Sequence, residues 1–328
     1  GVVGILTADE VPQDDYPSEP PLTNHPRYEG EAILAVAAVD EFTAAEAIER
    51  IKVEYEPLPF ALNPLETLKP GSPNSHENGN VWVPREGGGG MEVGEVKWDQ
   101  SVFDAAGPDE FPKGPAVSEW EYGEEGVDAA FERADYVIEE TLYCQSVSHH
   151  PMEPRTSMAY WENGKVYIFC SVQSVAQTRQ AYADRLGLDL EDVVFVSEFC
   201  GGGFGSKIRG SVIDIVPALL SRKLGGRPVQ LRITRAEEAL LGRGRPGMMG
   251  YAKMGFRRDG RLIALDMHLI QDSGAYSNQG DVSTAGSTAS LMYQPENMRF
   301  RSTSVITNTP PRAAQRGPGG VQAVSMLE

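Results

Sequence analysis

The stretch Cys200-Gly-Gly-Gly-Phe-Gly-Ser-Lys207 constrains the fold more than any other part of this sequence. It follows the β-branched and aromatic run 193–196, which predicts a buried strand, and it precedes the apolar-periodic segment 212–224, which predicts a helix. Glycine allows positive φ angles and close approach to the backbone, because no Cβ stands in the way. A strand, a glycine loop and a helix in this order direct free N–H groups at an anion or an electron-rich ligand.

The spacing within this loop excludes the two common nucleotide-binding motifs. A Walker loop needs Gly before its Lys and Ser or Thr after it, whereas Ser206 and Ile208 flank Lys207 here. A dinucleotide fingerprint that starts at Gly201 meets Ser206 at its third glycine position. A glycine-rich turn that only packs a helix on a sheet remains an alternative.

Four stretches, in the expected order, resemble the xanthine dehydrogenase/aldehyde oxidoreductase family of molybdenum hydroxylases. Residues 201–207 are similar to the Gly-Gly-Gly-Phe-Gly-Gly-Lys loop of that family, with Ser206 in place of its last Gly. The others are His150-Pro-Met-Glu-Pro154, Ser171-Val-Gln-Ser174, and the run from Asn308 to Gln322 that contains Arg-Gly-Pro-Gly-Gly. The resemblance covers nearly the whole chain, and several motifs in order are more specific than one.

The fold class that the sequence predicts is α+β, with strands and helices mixed along the chain. Residues 1–75 resemble the small a/b hammerhead domain of the family, and 125–328 resemble the first part of its molybdopterin-binding domain, which we expect to be incomplete. Residues 76–124 are rich in Gly, Pro and acids, so we expect a connector that is mainly solvated loop. The abrupt ends lead us to expect a fragment or one part of a subunit.

Local patterns predict several individual elements. Thr43 followed by Glu46 indicates a capping box for a helix over 42–51, and 53–56 alternates as a strand does. The pair Asn163-Gly164 between apolar runs predicts a hairpin, and so does Asp259-Gly260.

Composition narrows the classes of partner. A net charge of −18 and a pI near 4.8 argue against nucleic acid as a partner, because phosphate binding relies on clustered Lys and Arg. No apolar run is long enough to cross a membrane, so we expect a cytoplasmic protein and leave the periplasm open. The three cysteines, Cys144, Cys170 and Cys200, form no Cys-x-x-Cys pair and therefore predict neither an iron–sulfur cluster nor a zinc ribbon.

The resemblance implies which residues surround the cofactor. Gln173 would approach the metal's oxo group, and the backbone at Gly202, Gly203, Phe204 and Gly205 would run beside the metal and the pterin. Arg316 and Gly317 would form a second backbone loop at the cofactor, which makes Gln173, Phe204 and Arg316 the predicted molybdenum environment. Without the resemblance, these three side chains would be interpreted as a helix-start amide, a core aromatic and a surface arginine.

Three positions depart from particular members of the family. Ile208 stands where purine-oxidising members carry an acid, and Pro318 stands where they carry an aromatic residue against the substrate ring. Both departures disfavour a purine substrate. Gly317 occupies the position of the copper-holding cysteine of the carbon monoxide dehydrogenases, so a copper–molybdenum site is not expected.

The resemblance implies a molybdenum hydroxylase large subunit that oxidises an aldehyde or an N-heteroaromatic small molecule with water as the oxygen source. The cofactor would be molybdopterin cytosine dinucleotide, with FAD and [2Fe-2S] centres on partner subunits. The family's catalytic base, a glutamate, lies beyond the end of this chain, so no catalytic residue is assigned and the chain alone is expected to be inactive. The alternatives are a non-catalytic scaffold subunit that has lost the cofactor and, less favoured by the motif spacings, a nucleotide-binding oxidoreductase.

Overall fold

The computed structural model describes residues 1–13, 18–276 and 280–328, which contain both helices and strands. The strands are β1 (Val2–Thr7), β2 (Leu34–Ala38), β3 (Val81–Pro84), β4 (Met91–Gly94), β5 (Ser118–Tyr122), β6 (Tyr136–Cys144), β7 (Val147–Ser148), β8 (Thr156–Glu162), β9 (Lys165–Cys170), β10 (Val193–Val196), β11 (Val229–Arg232), β12 (Gly244–Arg245), β13 (Met248–Phe256), β14 (Leu262–Asp272) and β15 (Asn297–Val305). The helices are α1 (Glu41–Glu49), α2 (Pro64–Leu68), α3 (Gln100–Asp104), α4 (Val127–Glu132), α5 (Val175–Leu186), α6 (Val216–Lys223), α7 (Arg235–Leu241), α8 (Asp281–Tyr293) and α9 (Gly320–Leu327). Short 3₁₀ helices occupy Ala8–Glu10, Leu190–Asp192 and Val212–Ile215. The predicted α+β class is confirmed.

Two compact units divide the chain, and each is discontinuous in sequence. Unit 1 contains Gly1–Leu58 and Ser148–Gly244, and unit 2 contains Pro59–Val147 and Arg245–Glu328. These units differ from the predicted domains 1–75, 76–124 and 125–328, which follow the order of motifs along the chain rather than packing. The predicted domain boundaries stay predictions.

Unit 1 is organised around a four-stranded sheet in the order β10-β9-β8-β11, with a separate two-stranded pair, β1 and β2. The β8–β9 hairpin is antiparallel, and its turn residues Asn163 and Gly164 have φ angles of 52° and 80°. Positive φ at both turn residues is what a tight hairpin requires, so the predicted hairpin is confirmed. Its core combines residues of β8 and β9 with the inner faces of α5 and α6, and Leu6 and Ala37 of the strand pair join it.

Unit 2 contains a seven-stranded sheet in the order β4-β3-β15-β14-β13-β6, with β5 also paired to β15. The predicted hairpin around Asp259-Gly260 is confirmed as β13 and β14, which pair antiparallel. One core packs α8 and α9 on β14 and β15, and a second surrounds Trp98 and Phe111. Among the described residues, every helix falls short of the length and hydropathy that a bilayer crossing requires.

Three local predictions are wrong. The cap of α1 is the Asp40 side chain, which accepts a hydrogen bond of 2.8 Å from Thr43 N, rather than a box formed by Thr43 and Glu46. Residues 53–56 form no strand, because no neighbouring strand pairs with them there.

The expectation of mainly solvated loop over 76–124 fails, because β3, β4 and β5 join the large sheet and Trp82 and Trp98 are buried. Of these strands, β3 and β5 pair with β15, far along the chain, and β4 pairs with β3; no local pattern reveals the pairing with β15.

Candidate functional site

The glycine loop leaves β10 and leads into the 3₁₀ turn Val212–Ile215 and then α6, as the strand–loop–helix pattern predicts. Gly202 and Gly205 have φ angles of 101° and 123°. Phe204 between them has a φ of 55°, which residues other than glycine rarely adopt. Such backbone strain is typical of functional loops. Phe204 is 39% exposed, so the core-aromatic alternative does not hold for it.

Two further glycines permit close approach of neighbouring segments. A Cβ atom built on Gly203 would lie 2.3 Å from Gln173 Oε1, and one built on Gly201 would lie 2.5 Å from Glu153 Cβ. Neither glycine has a positive φ, so sterics rather than backbone conformation requires glycine at these two positions. The loop therefore packs its backbone directly on Gln173 and Glu153.

The Gln173 side chain is hydrogen-bonded to the glycine loop. Its carbonyl oxygen Oε1 accepts hydrogen bonds from Gly205 N at 2.9 Å and Lys207 N at 3.2 Å. Its backbone N donates to Lys207 O at 2.8 Å. An amide oxygen has two lone pairs, and these two contacts occupy both of them. The remaining polar group of this exposed side chain is the amide nitrogen, which can only donate a hydrogen bond. The sequence interpretation of Gln173 as a helix-start residue is too simple, because α5 begins two residues later.

Next to the loop lies an ion pair between the buried Lys207 and the partly exposed Glu153. Lys207 is 1% exposed, and its Nζ donates to Glu153 O at 2.9 Å, Glu153 Oε2 at 3.1 Å and Ser171 Oγ at 3.2 Å. Glu153 Oε2 also accepts hydrogen bonds from Gly201 N at 2.7 Å and from Ser171 Oγ. These contacts join three separate segments, at 153, at 171 and at 201–207, so the loop is held at both of its ends.

A second ion pair supports the same loop from another element. Arg155 is 2% exposed and Glu238, on α7, is 1% exposed. The Arg155 guanidinium pairs with Glu238 and also donates to Ser206 O at 2.7 Å, while Arg155 N donates to Glu238 Oε2 at 2.8 Å. Each of these charges has an opposite partner and further hydrogen bonds, which is the condition for burying charge in a protein.

Two carboxyls around the loop have pKa values shifted in opposite directions. Burial by itself would raise the pKa of Glu153, but hydrogen bonds from Ser171, Gly201 N and Lys207 hold it below its usual value. Burial raises the pKa of Asp214, whose Oδ2 accepts hydrogen bonds from Ser211 N at 2.7 Å and from the Tyr182 hydroxyl at 3.2 Å. Glu153 is therefore stabilised as a carboxylate, whereas the surroundings of Asp214 favour its neutral form.

A second glycine-bearing loop, around Arg316, lies in unit 2. Arg245, 7% exposed, donates to Gln315 Oε1 at 3.0 Å, Arg316 O at 2.7 Å and Gly317 O at 3.2 Å. Gly317 has a φ of 69°, and the loop ends where α9 begins. A buried cation thus fixes the backbone and leaves the Arg316 side chain exposed.

The structure brings the predicted site residues together in two groups. Gln173 lies against the loop of Gly202, Gly203, Phe204 and Gly205, and Ile208 follows it, 37% exposed, all in unit 1. Arg316, Gly317 and Pro318 lie in unit 2. The predicted convergence of the two loops on one cofactor stays a prediction. The buried charges Arg155, Lys207, Glu238 and Arg245 were missed, because a lone charged residue in a sequence carries no sign of burial.

The family model for the molybdopterin cofactor-binding domain matches residues 109–328, two-thirds of the chain. The chain belongs to this family. A xanthine dehydrogenase molybdenum-binding subunit of Escherichia coli O157:H7 is 27% identical over 100% of the chain and 41% of its own length. A nicotinate dehydrogenase large molybdopterin subunit of Eubacterium barkeri is 30% identical over 90% of the chain and 61% of its own length. The resemblance to the xanthine dehydrogenase/aldehyde oxidoreductase family of molybdenum hydroxylases is confirmed.

Solved structures share the fold. Quinoline 2-oxidoreductase from Pseudomonas putida 86 matches 97% of this chain with a TM-score of 0.77 and 24% identity, covering 39% of that structure. The aldehyde oxidoreductase from Desulfovibrio gigas matches 98% of the chain with a TM-score of 0.75 and 23% identity, covering 34% of that structure. The chain therefore spans between about a third and three-fifths of the proteins it matches here.

Proposed function

We propose that this chain is part of the large subunit of a molybdenum hydroxylase, which oxidises an aldehyde or an N-heteroaromatic compound with water as the oxygen source. Family membership supports a molybdopterin-dependent oxidoreductase in general terms. The finer proposal, which includes molybdopterin cytosine dinucleotide as the form of the cofactor, extends what the motifs imply.

The single observation that carries the proposal is the arrangement of Gln173 on the glycine loop. The amide oxygen accepts hydrogen bonds from two backbone N–H groups, so the amide nitrogen of this exposed side chain remains as a hydrogen-bond donor. An oxo ligand of a metal is an acceptor, and such a donor suits it. Gly203 packs on Gln173 itself, whereas Gly202 and Gly205 carry no side chain that would keep a flat ring system away from the loop backbone. The residues present therefore fit a molybdenum–pterin cofactor.

When bound, that cofactor would supply the redox chemistry of the hydroxylation, and the chain supplies binding and orientation. Gln173 would donate a hydrogen bond to the cofactor, and the backbone of the loop from Gly202 to Gly205 would help to hold the pterin. Arg316, with Gly317 beside it, brings a positive charge suited to the dinucleotide phosphate or to the metal's oxygen ligands.

The side chains next to the glycine loop favour a neutral, apolar substrate. Ile208 and Phe204 are both partly exposed, and Ile208 provides no charge for a purine ring. Pro318, in unit 2, offers no aromatic face for stacking on such a ring. Aldehydes and N-heteroaromatic compounds remain the classes we propose. Electrons would leave through FAD and [2Fe-2S] centres on partner subunits, and we propose a cytoplasmic location.

The proposal is tested on the assembled protein with its partner subunits and the remaining part of the large subunit. We expect molybdenum in the purified complex, and incorporation of ¹⁸O from labelled water into the product of an aldehyde or an N-heteroaromatic substrate. Gln173→Ala, which removes the donor, should reduce turnover, whereas Gln180→Ala on the exposed face of α5 should not. A folded complex that contains no molybdenum would instead support a non-catalytic scaffold and would refute this function.

A further inference from the structure

The proposed function assigns no role to the side chain of Lys207, although it is among the most buried charged groups described. Burial of an ammonium group is costly unless each of its protons meets an acceptor and its charge meets an opposite charge. Lys207 meets both conditions, because Nζ contacts Glu153 O, Glu153 Oε2 and Ser171 Oγ within 3.2 Å. Its place at the end of a glycine loop is therefore fixed by three specific contacts.

The backbone of Lys207 is hydrogen-bonded to Gln173 in both directions. Lys207 N donates to Gln173 Oε1 at 3.2 Å, and Lys207 O accepts a hydrogen bond from Gln173 N at 2.8 Å. The first contact orients the side-chain amide, and the second holds its backbone. A displacement of Lys207 therefore changes the orientation of the Gln173 amide directly.

The anchor of Lys207 also includes the segment between β9 and α5, which carries Gln173. Ser171, two residues before Gln173, accepts from Lys207 Nζ and donates to the Glu153 carboxylate. The same carboxylate oxygen accepts from Gly201 N at the start of the glycine loop. Lys207 thus connects the start of the loop, its end and the segment before Gln173 through one carboxylate.

We propose that Lys207 is the positioning residue of Gln173: its ammonium group, held by Glu153 and Ser171, keeps the Gln173 amide turned so that it presents only a donor to the ligand. This inference rests on the proposed function for the identity of the ligand, but not for the geometry. It predicts that Lys207 acts through Gln173 and not merely through the stability of unit 1.

The test is a double-mutant cycle in the complete complex, with Lys207→Met, Gln173→Ala and the two combined. The first measurement is hydrogen–deuterium exchange of the peptide that contains residues 201–208, which needs no bound cofactor. Each single variant releases an amide from Gln173 Oε1, so we expect about tenfold faster exchange in each. In the double variant we expect no further acceleration. Without the Gln173 side chain, there is no hydrogen bond to Oε1 left for Lys207→Met to break.

The second measurement is the electron paramagnetic resonance spectrum of the partly reduced molybdenum centre. Lys207→Met is expected to shift the spectrum in the same direction as Gln173→Ala, and to add no shift in the Gln173→Ala background. Arg155→Met is the matched control, because it removes another buried cation that contacts the loop, at Ser206 O, without contact to Gln173. That control is expected to lower the Tm and to leave the spectral positions unchanged.

Additive effects of Lys207→Met and Gln173→Ala on exchange would overturn the inference, and so would a spectrum that responds equally to Arg155→Met and Lys207→Met. If Lys207→Met does not assemble, Ser171→Ala replaces it, since it removes one acceptor of Nζ, and the same criteria apply. A complex that lacks molybdenum would refute the proposed function, while the exchange cycle would still decide the role of Lys207.

Discussion

Gly203→Ala is the most selective perturbation of the candidate site. The new Cβ atom would lie 2.3 Å from Gln173 Oε1 and 2.6 Å from Cδ, so the side chain of Gln173 has to move away. Since Gly203 has no positive φ, the backbone itself tolerates alanine, and the cost comes from this contact alone. The displaced oxygen would lose its hydrogen bonds from Gly205 N and Lys207 N.

The magnitude follows from those two hydrogen bonds. Each contributes about 0.5–1.5 kcal/mol to stability, so the expected loss is about 1–3 kcal/mol. For a unit of this size, that loss lowers the Tm by about 2–12 °C. The assay is differential scanning fluorimetry of the purified complex, with the molybdenum content measured on the same samples. We expect both the Tm and the molybdenum content to fall.

Gln173→Ala provides the matched background, because it removes the three atoms nearest to the new Cβ, which are Oε1, Cδ and Cγ of Gln173. Gly203→Ala should cost almost nothing in that background, and this non-additivity is the decisive result. An equal fall in Tm with and without the Gln173 side chain would show that the contact between the new Cβ and Gln173 does not cause the loss of stability.

Three other predictions concern titration and a second glycine. Because the pKa of Glu153 is lowered, its carboxylate stabilises the fold above the usual pKa, and this stability is lost as the pH falls through the lowered value. Glu153→Gln should therefore flatten the fall in Tm below about pH 5, and an unchanged pH profile would contradict this. The raised pKa of Asp214 has the opposite effect, because stability is lost as the pH rises through the titration range of this carboxyl. Asp214→Asn should remove that loss in the same pH series, and a loss that persists in the variant would contradict the raised pKa. Gly319→Ala should destabilise unit 2 by about 3 kcal/mol or more, because φ is 68° and the new Cβ would lie 2.2 Å from Asp281 O. Gly320→Ala is the control and should be nearly neutral, because the atoms nearest to its Cβ are 3.6 Å away. Chemical unfolding measures both, and equal losses of stability would refute the steric argument.

Elements whose signal is local could be predicted from the sequence. The strand β10 has the predicted bounds, because its run of β-branched and aromatic residues lies within the segment itself. The turn at Asn163-Gly164 was predictable because few residue pairs adopt two positive φ angles. The position of Gln173 against the glycine loop agrees with the order of the motifs, although its contacts do not follow from the sequence.

Features that depend on distant segments could not be predicted. The strand β3 pairs Val81 with Val305, far along the chain, whereas the Gly, Pro and acidic residues on either side of β3 resemble loop. Likewise, the sequence around Lys207 resembles a surface loop, and only its partners Glu153 and Ser171 explain its burial. Long-range pairing and buried charge are the two kinds of information that local patterns omit.

If the proposed function is right, the assembled protein carries the cofactor that Gln173 and the glycine loop at 201–207 are proposed to hold. The measurement is the molybdenum content of the purified complex, together with the CMP that acid hydrolysis releases from a cytosine dinucleotide. We predict stoichiometric molybdenum and CMP in the wild-type protein and a loss of both in Gly203→Ala. A correctly folded, fully assembled complex that contains neither would contradict the central claim.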